Sequence, residues 1–150
     1  MIFDLDATPE WFNFFGSHLD PNTGETIFEE PVKDARVQIR SMQPFFEERL
    51  AKRKRTAEHI YNPKTRAMER VPYFLELSVE EAIAEREDAY DYAITAIENF
   101  KDAKTGEIIL CTRANKLKLM KVPVFDRFIA RCLQLLASSG VKEKEDKIKN

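Results

Sequence analysis

From Asp34 to Met42 the chain alternates. Ala35, Val37 and Ile39 are apolar, and Arg36, Gln38 and Arg40 stand between them. A period of two predicts a half-buried strand with a basic outer face. A different rhythm governs the end of the chain. Val124, Phe125, Phe128, Ile129, Cys132, Leu133 and Leu136 recur at alternating steps of one and three. That stripe predicts an amphipathic helix, opened by Pro123 and ended by Gly140. A third pattern begins at Ser78-Val79-Glu80-Glu81, a capping box. The helix it starts is expected to run to about Asn99, with Ile83, Tyr90, Ala93, Ile94 and Ile97 on one face. Glu80, Glu85, Glu87, Asp88 and Asp91 form its acidic opposite face, and the apolar face should pack on the final helix.

Shorter elements fill the rest. Thr8-Pro9-Glu10 reads as a helix start, followed by Trp11, Phe12, Phe14 and Phe15 and stopped at Gly16. Thr26 to Phe28 reads as a strand. Pro44 opens a helix to about Glu58, with acids early, bases late, and Phe46 and Leu50 as its inward pair. Residues 60–71 look like a hairpin that Pro72 ends. Glu107 to Leu110 reads as a short strand, and Thr112 caps a short helix carrying Leu117, Leu119 and Met120. The fold class expected is α+β: small β-hairpins in the N-terminal half and a mainly helical C-terminal half. One domain over residues 1–140 and a charged, disordered tail over 141–150 complete the expectation.

Three loops share one scheme. DPNTGETI, NPKTRAME and DAKTGEII begin at Asp20, Asn62 and Asp102. The first residue of each can accept hydrogen bonds from the backbone two positions on. Pro21 and Pro63 preset φ for the next position, and Gly24 and Gly106 can close the turn in the left-handed region. Arg66 takes the place of Gly in the middle loop, where left-handed backbone costs on the order of 1 kcal/mol. Asp20-x-Asn22-x-Gly24 also invites a calcium reading. It fails, because the sixth and twelfth positions hold Glu25 and Pro31, and Lys64 and Lys104 replace Asn22 in the sister loops.

Composition narrows the chemistry. The chain has 150 residues, 43% of them hydrophobic and 33% charged, with 11 Phe and a net charge of −2. A core is expected, and no global charge argues for nucleic acid. Cys111 and Cys132 lie in apolar surroundings and read as reduced thiols of a cytosolic protein. The start MIFDLDATPE lacks the basic n-region of a signal peptide, and no apolar run is long enough for a membrane span. The glycines at 16, 24, 106 and 140 build neither a dinucleotide fingerprint nor a P-loop. His18 and His59 are the only histidines, so no zinc motif forms. No catalytic, cofactor or metal site is expected. Two candidate partner-binding groups remain: the basic cluster Arg49, Lys52, Arg53, Lys54 and Arg55, and the aromatic pair Trp11 and Phe12. The cluster fits an exposed helix end, an acidic protein partner or a phosphate backbone, with no aromatic interleaving for base stacking.

The stretch YAITAIENFKDAKTGEIILCTRANKLKLMKVPVFDRFIARCLQLL resembles the C-terminal part of small bacteriophage tail-module proteins, especially the tail assembly chaperone-like ones. The matching features are Ile97 to Phe100, Gly106, Thr112 to Asn115, and Pro123 onward. Glu98-Asn99-Phe100 stand where many such proteins carry Trp. The first half resembles them loosely through R-V-x-I-R-S-M, so the likeness covers residues 30–138. The resemblance implies a non-catalytic, cofactor-free protein in the cytoplasm of a bacterial host. It would bind the tape-measure or tail-tube proteins during tail assembly, with homo-oligomerisation left open. The alternatives are a structural virion protein of the tail and a nucleic-acid-binding accessory protein using the basic helix.

Overall fold

In the computed structural model, which describes residues 8–149, the alternating segment is the central strand of a three-stranded antiparallel sheet. The elements are β1 (Glu10–Asn13), β2 (Ser17–Leu19), β3 (Thr26–Phe28), β4 (Arg36–Ile39), α1 (Gln43–Lys52), β5 (Arg55–Asn62), β6 (Ala67–Phe74), α2 (Val79–Ala93), β7 (Ile94–Glu98), α3 (Arg113–Met120) and α4 (Pro123–Lys149). The fold is α+β, with small antiparallel sheets and helices mostly in the second half. The chain divides into two compact units. One comprises the residues up to Met42 and from Glu87 onward, and the other spans Gln43–Arg86.

The first unit is built on β4. β1 and β7 flank it in the order β1-β4-β7. Phe12, Val37 and Ile97 lie in register across the three strands, so one face is apolar. Val37, Ile39 and Ile94 have no exposed surface, and neither do Phe128 and Cys132 of α4. The stripe predicted on the final helix is therefore core, packed over the sheet. Phe14 and Phe15 complete it, with ring centroids 5.0 and 4.9 Å from Phe128 in edge-on geometry. β4 and β7 are offset by a bulge that skips Thr95. The Thr95 hydroxyl meets the Gln38 carbonyl oxygen at 3.2 Å and the Gln38 side-chain oxygen at 3.0 Å, which satisfies the interrupted ladder.

Several elements of this unit differ from the expectation. Residues 10–13 form strand β1, not a helix. Aromatics at 11, 12, 14 and 15 match a helical period over so short a run, but they also suit a pleated strand, and pairing with β4 decides. The capped helix ends at Ala93 instead of Asn99. Ile94-Thr95-Ala96-Ile97 is rich in β-branched residues and pairs with β4 as β7. Asn99 then takes φ 62° and its side-chain amide donates to the Asp34 carbonyl. Tyr90, near the end of α2, belongs to the core cluster with Phe125 and Phe128 of α4, and its hydroxyl donates to Asp126 at 3.2 Å.

Three local expectations hold and two do not. β3 forms, paired with β2. Ser78 Oγ accepts from the Glu81 amide, and the Glu81 carboxylate accepts from the Ser78 amide, as a capping box requires. Thr112 caps α3 by accepting from the Asn115 amide. Residues 107–110 give only a single bridge, Lys101 with Ile108, in place of a strand. The backbone of α4 carries on past Gly140, the expected stop, to Lys149. A lone Gly costs a helix only about 1 kcal/mol relative to Ala, and strong helix formers follow it. The opening segment MIFDLDA, read as lacking a signal peptide, lies outside the described residues.

All three predicted turns are the same device. In each, the fifth residue's amide donates to the first residue's carbonyl at 2.8 Å: Gly24 to Asp20, Arg66 to Asn62, Gly106 to Asp102. The first side chain accepts from the amide two residues on, at Asn22, Lys64 and Lys104. Gly24, Arg66 and Gly106 have φ of 73°, 53° and 70°. Arg66 thus holds the left-handed conformation that its neighbours leave to glycine.

Candidate functional site

The second unit carries the surface that stands out. Its middle is a two-stranded ribbon, β5 and β6, each eight residues long. The register runs from Arg55 opposite Phe74 to Asn62 opposite Ala67. The sequence reading recovered only its tip, residues 60–71, and assigned the first half of β5 to the preceding helix. That helix, α1, ends at Lys52. Pro72, expected to end the hairpin, lies inside β6. The reason is hydrogen-bond parity. The Leu75 amide donates to the Lys54 carbonyl, so even-numbered β5 residues occupy hydrogen-bonded pairs. Pro72 pairs with Ala57 at an odd, non-bonded position, where its missing N–H would point away from β5.

The register sorts the ribbon into two faces of opposite character. Arg55, Ala57, His59 and Tyr61 share one face with their partners Phe74, Pro72, Arg70 and Met68. No acidic residue occurs on it. The other face carries Glu58 and Glu69 beside Ile60, Val71 and Tyr73, and no basic residue. Both faces are open. Ile60, Tyr61 and Met68 are 47%, 57% and 60% exposed, and every residue of β6 is exposed. On the basic face Arg55 lies over the Phe74 ring, 4.9 Å from its centroid. Arg55 and Arg70 line a concavity of about 290 Å³ together with Thr56 and Pro72. Neither arginine has an acidic partner among the described residues.

The basic cluster read from the sequence does not stay together on one helix. Arg49 and Lys52 belong to α1, Arg53 and Lys54 to the connection, and Arg55 to β5. Arg49 lies over the Phe45 ring, Lys52 pairs with Glu48 at 2.7 Å, and Arg53 makes a two-oxygen contact with Glu85 at 3.1 Å. Most of the cluster's charge is thus engaged locally. Phe45 is the buried ring of α1, whereas Phe46 and Leu50, the expected inward pair, are 54% and 48% exposed. The helix begins one residue before Pro44 and turns the 45/49 side inward instead.

The other candidate pair is in the first unit. Phe12 packs on the core, and Trp11 is partly exposed with the Arg36 guanidinium stacked on it at 4.1 Å. Arg36 also pairs with Glu98 at 2.6 Å, and Arg40 lies over Tyr92 and donates to its carbonyl. The basic outer face of β4 is therefore engaged within its own unit. Reading the sequence alone missed Tyr61, Met68, Arg70 and Phe74. The signal was there in the alternation Arg55-x-Ala57-x-His59-x-Tyr61, but it was hidden under a helix assignment.

A second charged group in the first unit is structural. Lys116, buried on α3, donates to the Asp91 carboxylate at 3.1 Å and to its carbonyl at 3.0 Å, while Arg113 bridges Asp88 and Asp91. Burial pushes the Asp91 carboxyl up, but hydrogen bonds and charge from Lys116 and Arg113 outweigh it and hold it below the usual range. Burial raises the Cys132 thiol to about 12, and both cysteines are free. Among the described residues, no three His, Cys, Asp or Glu side chains are placed to hold a metal ion, and no helix is long and apolar enough to cross a membrane. Comparison of the chain with protein-family models, with curated proteins and with solved structures yields no match in any of the three.

Proposed function

We propose that the chain is a non-catalytic protein-binding module, and that its β5–β6 ribbon is the docking element. The observation that carries this is the ribbon's exposure. A two-stranded ribbon is marginal by itself, yet this one presents Ile60, Tyr61, Met68 and Tyr73 to solvent on two faces. Contiguous exposed apolar surface of this kind marks interaction sites. The specific form of the role comes from the sequence resemblance. It is that of a bacteriophage tail assembly protein, chaperone-like, acting in the bacterial host cytoplasm on the tape-measure or tail-tube protein. Co-expression and pull-down with those two proteins tests it. Retention of one, lost in the double variant Tyr61→Ser, Met68→Ser, supports the reading. Retention of neither sinks the tail role.

A further inference from the structure

We infer that the basic face of the ribbon is a receptor for an acidic, apolar-rich segment of the partner protein, with a partner carboxylate seated between Arg55 and Arg70. The inference rests on the protein-binding reading above and adds the partner's chemistry.

Three observations converge on it. First, Arg55 and Arg70 line one concavity, with Pro72 also in its lining. In register, the small Ala57 and the flat Pro72 separate the pair Arg55–Phe74 from the pair His59–Arg70. Two guanidinium side chains of one face thus border one concavity, whose lining Thr56 completes, and their paired N–H donors suit a planar carboxylate. Second, the face is electrostatically one-sided. It holds Arg55, His59 and Arg70 and no carboxylate, while both acids of the two strands, Glu58 and Glu69, lie on the reverse. An acidic segment meets complementary charge here and repulsion on the other face. Third, the residues around the arginines are Tyr61, Met68 and Phe74. Arg, aromatic residues and Met are enriched at protein interfaces, and Lys, Glu and Asp are depleted. Lys54 and Lys64 fall outside the two strands.

A nucleic acid is the rival occupant, since arginine and aromatic rings also serve single strands. The arrangement of the face favours protein. The Phe74 ring is already covered on one side by Arg55, and only two arginines face the site, too few to track a phosphate backbone.

The test uses the full chain and three fluorescein-labelled probes read by anisotropy at low salt. These are a twelve-residue peptide alternating Glu with Leu or Phe, the same peptide with Gln for every Glu, and a single-stranded oligothymidylate. The acidic peptide should bind, and the Gln peptide should bind roughly tenfold or more weakly. Arg55→Glu with Arg70→Glu should abolish acidic-peptide binding and admit a Lys/Leu peptide, with an unchanged circular dichroism spectrum. The conservative Arg70→Lys should retain partial binding. Equal binding of the Glu and Gln peptides overturns the proposal. So does binding of the acidic peptide that survives the double charge reversal, or binding of none of the peptides. Tighter binding of the oligothymidylate assigns the face to nucleic acid instead. Failure in these assays together with retention of a tail protein in the pull-down leaves the docking role standing and removes only the acidic partner.

Discussion

The two units solve opposite problems. Around β4, apolar side chains from β1, β7 and α4 close on each other until Val37, Ile39, Ile94 and Phe128 have no exposed surface. Along β5 and β6, side chains of the same kinds stand in solvent. The polarity of individual residues does not separate the regions. The difference is that β4 is a central strand with cover, whereas β5 and β6 are both edges of a two-stranded sheet. Apolar residues on the first unit specify the fold, and on the ribbon they are available to something else. The sharpest way to break this contrast is at Phe128. Phe128→Ala should cost about 3–5 kcal/mol in chemical denaturation, because it opens a cavity under Phe14, Phe15 and Phe125. A loss below 1 kcal/mol would mean that the stripe of α4 is not core.

The next effect tests whether charge, as well as packing, holds the first unit. Asp91 is about one-third exposed, but its partner Lys116 is nearly buried. Asp91→Ala strands that ammonium without its carboxylate. The expected loss is about 1–2 kcal/mol, below the range for fully buried pairs because solvent screens the Asp91 side. The pH dependence has a definite sign. The folded state lowers the Asp91 pKa from 3.8, so its contribution is present above about 4 and is lost as pH falls through the folded value. Thermal melts of the wild type and Asp91→Ala should therefore differ at pH 7 and converge in strong acid. A gap that persists unchanged to pH 2 would assign the effect to packing instead.

How much of this was legible in the sequence depends on whether local pattern and tertiary packing agree, in either unit. The strand at β4, the caps at Ser78 and Thr112, and the stripe on α4 were readable because local pattern and tertiary packing agree there. Where they disagree, the reading failed. Ile94 and Ile97 continue the helical spacing of α2, yet their β-branched run pairs with β4. Basic residues 52–55 complement a helix end, which masked the start of β5. Pro72 looked like a terminator because parity along a ribbon cannot be counted until the register is known. The candidate site suffered most: its face is made of alternate residues from two strands, and only the pairing brings Arg55 and Arg70 to one concavity.

The turns were the most legible feature, and they offer a matched internal control. Three loops share one hydrogen-bond pattern, and only the ribbon's loop has a non-glycine in the left-handed position. Arg66→Gly should stabilise the ribbon's closure by about 1 kcal/mol. The reverse changes, Gly24→Ala and Gly106→Ala, should each cost about as much. No atom lies within 4 Å of a Cβ added at either glycine, so that cost is backbone conformation alone. Hydrogen exchange at the Arg66 and Ala67 amides reads the first change locally. Faster exchange in Arg66→Gly would show that the arginine contributes something there which outweighs its strain.

The smallest stability effect is the one that most sharpens the contrast between units. Met68 is 60% exposed and sits opposite Tyr61 at a non-bonded pair, where side chains come closest. If the ribbon's apolar residues served the fold, Met68→Ser would cost as a core truncation does. If they serve a partner, the change should lie within about 0.5 kcal/mol, as exposed substitutions do. The same variant, with Tyr61→Ser, should lose the bound protein. The pair of measurements separates the two uses of an apolar side chain: Phe128→Ala should lower stability while leaving every residue of the docking face in place, and Met68→Ser with Tyr61→Ser should remove docking from a protein that melts where the wild type does. A large stability loss at Met68 would place the ribbon among the elements that hold the second unit together, and its exposed face would then need no partner.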